Sequence, residues 1–127
     1  MKNPKNIIIS GPQASGKTHI ANAIALTHEK KKVLRISFSE AFDKLQKFEY
    51  RANLHLFYTL IIIDECIKDD IPILNDYVES FPSLNPWFKV TIKEDQFVSI
   101  VYLTKDDIPY SFSNHQFHVI NCNNKHV

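Results

Sequence analysis

Residues 11–18 read GPQASGKT. Gly11 and Gly16 are the only two glycines in a chain of 127 residues. Glycine tolerates positive φ and lets a ligand approach the backbone closely. Both glycines in one short loop therefore point to a backbone shaped around something. The spacing G-x-x-x-x-G-K-T gives each position a task. Gly11 turns the chain out of a strand, and Gly16 lets main-chain N–H groups curl around phosphate oxygens. Lys17 carries positive charge to the β- and γ-phosphates, and Thr18 offers a hydroxyl to Mg²⁺. Pro12, Gln13, Ala14 and Ser15 complete the loop, and His19 follows it into a helix. Gly11 to His19 is thus the expected nucleotide-binding segment, with the phosphates at a helix N-terminus, where free N–H groups and the helix dipole favour an anion.

This is the Walker A, or P-loop, pattern, and its flanks fit it. Asn6-Ile7-Ile8-Ile9-Ser10 is a short β-branched run of the kind found in buried parallel strands. Thr18 to Leu26 is alanine-rich and favours helix. A second pattern matches the first. Leu60-Ile61-Ile62-Ile63-Asp64-Glu65 is an apolar strand ending in two acids, the Walker B arrangement. Two adjacent acids alone are often a solvated turn. Behind so apolar a strand, they are delivered to the ligand crevice of an open α/β sheet. Asp64 is then the metal-supporting carboxylate, beside Thr18, and Glu65 the base that takes a proton from, or orients, the attacking water.

Apolar runs and helical patterns alternate along the rest of the chain, which reads as βα units around a parallel sheet. Lys32 to Ser37 is a second strand. Ser37-Phe38-Ser39-Glu40 has capping-box spacing and opens a helix with Ala41, Phe42, Leu45 and Phe48 on its apolar face. Another helix starts near Asp70, tolerates Pro72 in its first turn, and buries Ile73, Leu74, Tyr77, Val78 and Phe81. Phe88 to Lys93 alternates apolar and polar, a half-exposed strand that forms a hairpin with the run from Phe97 to Leu103. Phe117 to Ile120 is the last strand.

Composition sets the outer bounds. An apolar fraction of 44% and a charged fraction of 23% suit one globular domain. No stretch approaches the roughly 20 apolar residues that span a membrane. No signal peptide is recognisable, and Cys66 and Cys122 suggest no disulfide framework, so the expected compartment is the cytoplasm. A net charge of +1 gives no global pull toward nucleic acid or membrane. His115, His118, Cys122 and His126 match no standard zinc spacing. Glu29-Lys30-Lys31-Lys32 suits the solvated end of the first helix.

The order GPQASGKT, then KKVLRISFSEAFDKLQKF, then LIIIDE resembles the AAA+ class of P-loop ATPases, over the first 65 residues its helicase-loader and insertion-sequence-helper branch. The resemblance extends through SIVYLT (99–104), at the place of the family's sensor-1 strand, to FHVIN (117–121), at the place of its fifth. It implies a three-layer α/β sandwich with a mostly parallel five-stranded sheet in the order 5-1-4-3-2, a hairpin before strand 4, and ATP with Mg²⁺ as ligands. It makes Thr104 a candidate to orient the lytic water, with a capping role as the alternative. The hairpin also resembles that of viral superfamily 3 helicases, with Lys93 as the candidate contact to single-stranded nucleic acid. Two family features are missing. The chain's only arginines, Arg35 and Arg51, both precede Asp64, and Ser113-Asn114-His115-Gln116 stands where the family places its intersubunit arginine. The helical lid is also expected to be absent, so residues 1–127 read as one P-loop core domain.

Three function classes follow. The first is a slow Mg²⁺-dependent ATPase coupled to single-stranded nucleic acid or a helicase-type protein, with homo-oligomers among its partners. The second is a nucleotide-binding regulator with little hydrolysis. The third is a P-loop kinase of small molecules, for which the paired acids and the missing lid are poorly suited.

Overall fold

The computed structural model describes residues 6–12, 15–47, 50, 54, 56–79, 98–109 and 117–122. Five strands form one sheet: β1 (Asn6–Ser10), β2 (Val33–Ser37), β3 (Leu60–Asp64), β4 (Ser99–Thr104) and β5 (Phe117–Asn121). Their order is β2-β3-β4-β1-β5, as the sequence implies, and all four pairings are parallel. The register brings Ile9 opposite Leu103 and Ser10 opposite Thr104, while Ile63 faces Tyr102. The carboxyl ends of β1, β3 and β4 therefore lie level along one edge.

Side chains alternate between the two faces of a strand, and here both faces are covered. Ile8, Ile61, Ile63, Ile100, Tyr102 and Phe117 point toward α2 (Phe38–Leu45) and α3 (Ile71–Glu79). Ile9, Leu60, Ile62, Val101 and Leu103 point toward α1 (Lys17–Ala25). This is the three-layer sandwich. It explains why β3 is apolar without alternation: Leu60 to Ile63 are all buried, and only Asp64 emerges. Each fully buried Leu or Ile is worth about 1.5–3 kcal/mol of transfer free energy.

The helix starts follow local chemistry. Ser37 caps α2 by accepting the Glu40 N–H at 3.3 Å. The Glu40 carboxylate turns outward to pair with Lys44 at 3.1 Å, an exposed i,i+4 contact. Phe38, Ala41 and Leu45 are buried and Phe42 packs against the same core. α3 keeps the expected Leu74 and Tyr77 on its core face and departs from expectation at Ile73. It begins after a 3₁₀ turn at Lys68–Asp70, so Ile71, Leu74 and Asn75 face inward, while Ile73 is 44% exposed. The apolar pattern misled because a polar residue, Asn75, holds a core position. Val78 lies in the helix, and the expected stripe's last member, Phe81, falls outside the described residues, as do Phe48 and the expected hairpin over 88–97.

Asn75 anchors a buried polar cluster between α3 and the sheet. Its Oδ1 accepts from Asn6 Nδ2 at 2.5 Å and from the Tyr102 hydroxyl at 2.8 Å, and Asn6 Oδ1 accepts the Ile100 N–H at 3.1 Å. The cluster ties the start of β1 to β4 and fixes the phase of α3. Tyr102→Phe removes one hydrogen bond and should cost about 1 kcal/mol. Asn75→Ala removes the acceptor of two donors and leaves a void, for about 2–4 kcal/mol. Urea unfolding of both variants checks the ranking; equal losses would show that Asn75 is not the hub.

Candidate functional site

The loop after β1 packs tightly before it reaches α1. Gly11 donates its N–H to the Thr104 carbonyl at 3.1 Å. A Cβ at Gly11 would lie 2.6 Å from Ser15 Oγ and 2.9 Å from Cys122 Cβ, so only glycine fits without displacement. Gly16 is glycine for another reason. It caps α1 in the left-handed conformation, φ 97°, and a Cβ there would meet nothing within 4 Å. The space beside it is open. Gln13 and Ala14, expected at the tip of the loop, lie outside the described residues.

The N-terminus of α1 carries no side-chain cap and no acid in its first turn. Helix ends usually satisfy their orphan N–H groups with such a cap. Here the first-turn amides, the positive end of the dipole and the open side of Gly16 face the same place. Lys17 adds the charge. Its ammonium donates to the Gly11 carbonyl at 2.6 Å and to the Pro12 carbonyl at 2.9 Å, and so is folded over the loop. Thr18 and His19 follow it and are exposed. Positive charge, free amides and open space together suit a polyphosphate.

Asp64 and Glu65 emerge at the same edge of the sheet. β4 separates β3 from β1, so Asp64 stands about two strand spacings, about 10 Å, from the strand that feeds the loop. Both acids are exposed. Glu65 is held in the left-handed region, φ 60°, the only described residue other than glycine with positive φ. Such a conformation costs on the order of 1–3 kcal/mol and persists where its surroundings impose it. Here they do. Asp64 Oδ1 accepts the Glu65 N–H at 2.8 Å, and the Cys66 N–H donates to the Leu103 carbonyl at 2.9 Å.

Thr104 completes this clasp. It is buried, donates its hydroxyl to the Cys66 carbonyl at 2.9 Å and accepts the Asp106 N–H at 3.1 Å. These bonds hold the turn at Glu65, and the hydroxyl keeps one further acceptor lone pair. Asp106 adds a bond that no sequence spacing announced, its Oδ2 accepting the Lys68 N–H at 3.1 Å. Burial pushes the Cys66 thiol well above its ordinary pKa, and its Sγ donates to the Ile63 carbonyl, so it stays protonated and is no nucleophile.

The donor set also bears on the metal. Among the described residues no group of three or more His, Cys, Asp or Glu side chains converges on one point. One carboxylate and one hydroxyl suit Mg²⁺, which keeps several waters and takes its other ligands from substrate phosphates. His118 and Cys122 lie on and just after β5; His115 and His126 are outside the described residues. No described helix is long and apolar enough to cross a membrane.

No protein-family profile and no curated protein matches the chain. Solved structures do. The AAA domain of FIGL-1, determined in complex with ADP, aligns with a TM-score of 0.56 at 18% identity, over 97% of this chain and 44% of its own. Katanin, in a study of its self-assembly, aligns with a TM-score of 0.51 at 17% identity, over 92% of this chain and 40% of its own. Two coordinating Pif1 helicases unwinding forked double-stranded DNA give 0.51 at 15% identity, over 94% and 40%. The chain thus spans less than half the length of these neighbours. Likeness at such identities speaks to architecture alone, and with the parallel order β2-β3-β4-β1-β5 it establishes that the chain has the AAA-like fold of the P-loop proteins.

Proposed function

We propose that this chain binds ATP with Mg²⁺ and hydrolyses it slowly, in work coupled to a nucleic-acid or protein partner. The observation that carries the reading is the uncapped N-terminus of α1, with Lys17 folded over the glycine loop that precedes it. Among the described residues the ammonium bonds only the two loop carbonyls and meets no carboxylate, whereas a triphosphate would use its charge. Lys17 would leave the Gly11 and Pro12 carbonyls for phosphate oxygens, and the α1 amides would bind the same anion. Thr18 and Asp64 would hold Mg²⁺, which would offset phosphate charge. Glu65, exposed at the end of β3, would take the proton of the attacking water. Thr104, Cys66 and Leu103 fix where Glu65 starts.

Slow turnover follows from what the site lacks. Phosphoryl transfer is mostly positioning and charge stabilisation, and an arginine finger supplies about 10³–10⁵ of the rate. Arg35 lies on β2, the outer strand beyond β3, and Arg51 is outside the described residues. The engaged hydroxyl of Thr104 favours a second reading, a nucleotide-binding regulator that hydrolyses little. A kinase acting on small molecules is separated from both by a scan of phosphate acceptors. The helicase-loader kinship, cytoplasmic location and homo-oligomeric state belong to the same proposal.

Lys17→Ala should abolish calorimetric binding of ATP–Mg²⁺ and leave the unfolding midpoint unchanged, because Lys17 bonds only the loop it crosses. Retained affinity would remove the phosphate role. The isolated chain should release phosphate on the order of 10⁻³–10⁻² s⁻¹, a rate typical of sites without an efficient arginine. Glu65→Gln should lower that rate at least tenfold with ATP affinity kept. Several turnovers per second from the wild-type chain, or an unaffected rate in Glu65→Gln, would contradict the assigned roles.

A further inference from the structure

The two ends of the sheet differ in charge, and each exposes large apolar side chains. At the amino end of the strands, Leu26 is 86%, Leu56 58% and Phe57 60% exposed. Hydrogen bonds tie the segments that carry them: His28 Nδ1 pairs with Thr59 Oγ1 at 2.7 Å, and the Thr59 N–H donates to the Lys32 carbonyl at 2.9 Å. The same bonds place this apolar group beside the 3₁₀ turn Lys30–Lys32, and Glu29, Lys30 and Lys31 line a shallow depression of about 630 Å³. At the carboxyl end, Ile67 is 54% exposed. Asp69 and Asp70 follow it, and Asp106 and Asp107 are brought beside it by the bond from the Lys68 N–H to Asp106 Oδ2. Within the same two segments the basic residues are Lys68, 4.0 Å from Asp69, and Lys105.

Scattered exposed apolar residues need no explanation. Three on hydrogen-bonded segments at one end of the sheet, with three lysines in the adjoining turn, suit a contact surface. A nucleic acid would use the lysines and Phe57 but would leave Leu26 and Leu56 in water and meet Glu29. The surface with matching chemistry is on the same chain: carboxylates around an exposed isoleucine, about 17 Å away along five-residue strands plus their loops. We propose that copies of this chain associate head to tail along the strand axis, the Leu26–Lys30–Phe57 face of one copy docking on the Ile67–Asp69–Asp107 face of the next. Unlike faces meet, so the contact is heterologous and the stack stays open unless a rotation closes it. The proposal goes beyond nucleotide binding and does not depend on it.

Charge-reversal variants test it in sedimentation velocity, with no nucleotide present. The wild-type chain should show a mass that grows with concentration at about 0.05 M salt and falls back toward one copy at about 0.5 M, where screening is strong. Lys30→Glu with Lys31→Glu should be monomeric, and so should Asp69→Lys with Asp107→Lys. All four positions are exposed, so folding is retained. In an equimolar mixture the intact basic face of one variant meets the intact acidic face of the other, and the two reversed faces are again opposite in charge, so association should return. A wild-type chain that stays monomeric, association that stops at two copies, or a mixture that stays monomeric would each overturn the proposal. So would tight binding of a fluorescent thymidine oligomer of about 20 nucleotides that is lost in Lys30→Glu with Lys31→Glu while the wild type remains monomeric, since the face would then belong to nucleic acid.

Discussion

Three main-chain hydrogen bonds carry the parallel sheet one or two residues past its strands. Gly11 N–H reaches the Thr104 carbonyl at 3.1 Å, Cys66 N–H reaches Leu103 at 2.9 Å, and Cys122 N–H reaches Ser10 at 2.7 Å. Each belongs to a segment that has just left the sheet. Together they keep the glycine loop, the Asp64–Glu65 turn and the end of β5 at one level along one edge. They extend the pairing of β3 with β4 and of β4 with β1 into the segments that carry the loop and the acids. The constraint is steric as well as polar: Cys122 sits where a side chain on Gly11 would go.

The same edge shows how a site can be assembled from conflict. Leu60 to Ile63 are buried because helices cover both faces of the sheet, and Asp64 is the first residue free of them. Glu65 then takes a conformation that few residues other than glycine prefer. The Asp64 carboxylate, the Leu103 carbonyl and the Thr104 hydroxyl over-determine that turn. A well-packed sheet thus holds the backbone of an exposed glutamate in a set position, its carboxylate without a side-chain partner among the described residues, an arrangement suited to a group that must meet a ligand.

Much of this was legible in the sequence, and physics explains which parts. GPQASGKT and LIIIDE are local patterns whose meaning depends on neighbours in the chain, so the strand, loop and helix around them followed from them, while the strand order came from the family resemblance. The capping role of Ser37 was likewise local. The phase of α3 was not, because Asn75 is buried through bonds to Asn6 on β1 and Tyr102 on β4, partners remote in sequence. Ile73 was taken for core because it is apolar, yet its position is set by where the 3₁₀ turn before it ends. Thr104 could be placed at a strand end from spacing alone, but the Cys66 carbonyl that claims its hydroxyl lies 38 residues away. The basic apolar face had no signature either, since the segments carrying Leu26 and Phe57 are joined by the bond of His28 to Thr59, 31 residues apart.

The central claim is that a polyphosphate binds the N-terminus of α1. Backbone amide resonances of Gly16, Lys17 and Thr18, followed by NMR as ATP–Mg²⁺, inorganic tripolyphosphate and adenosine are added in turn, test it most directly. The account predicts large shifts at these amides with ATP–Mg²⁺ and with tripolyphosphate, and none with adenosine. Shifts confined to other parts of the chain, or equal shifts with adenosine, would contradict it.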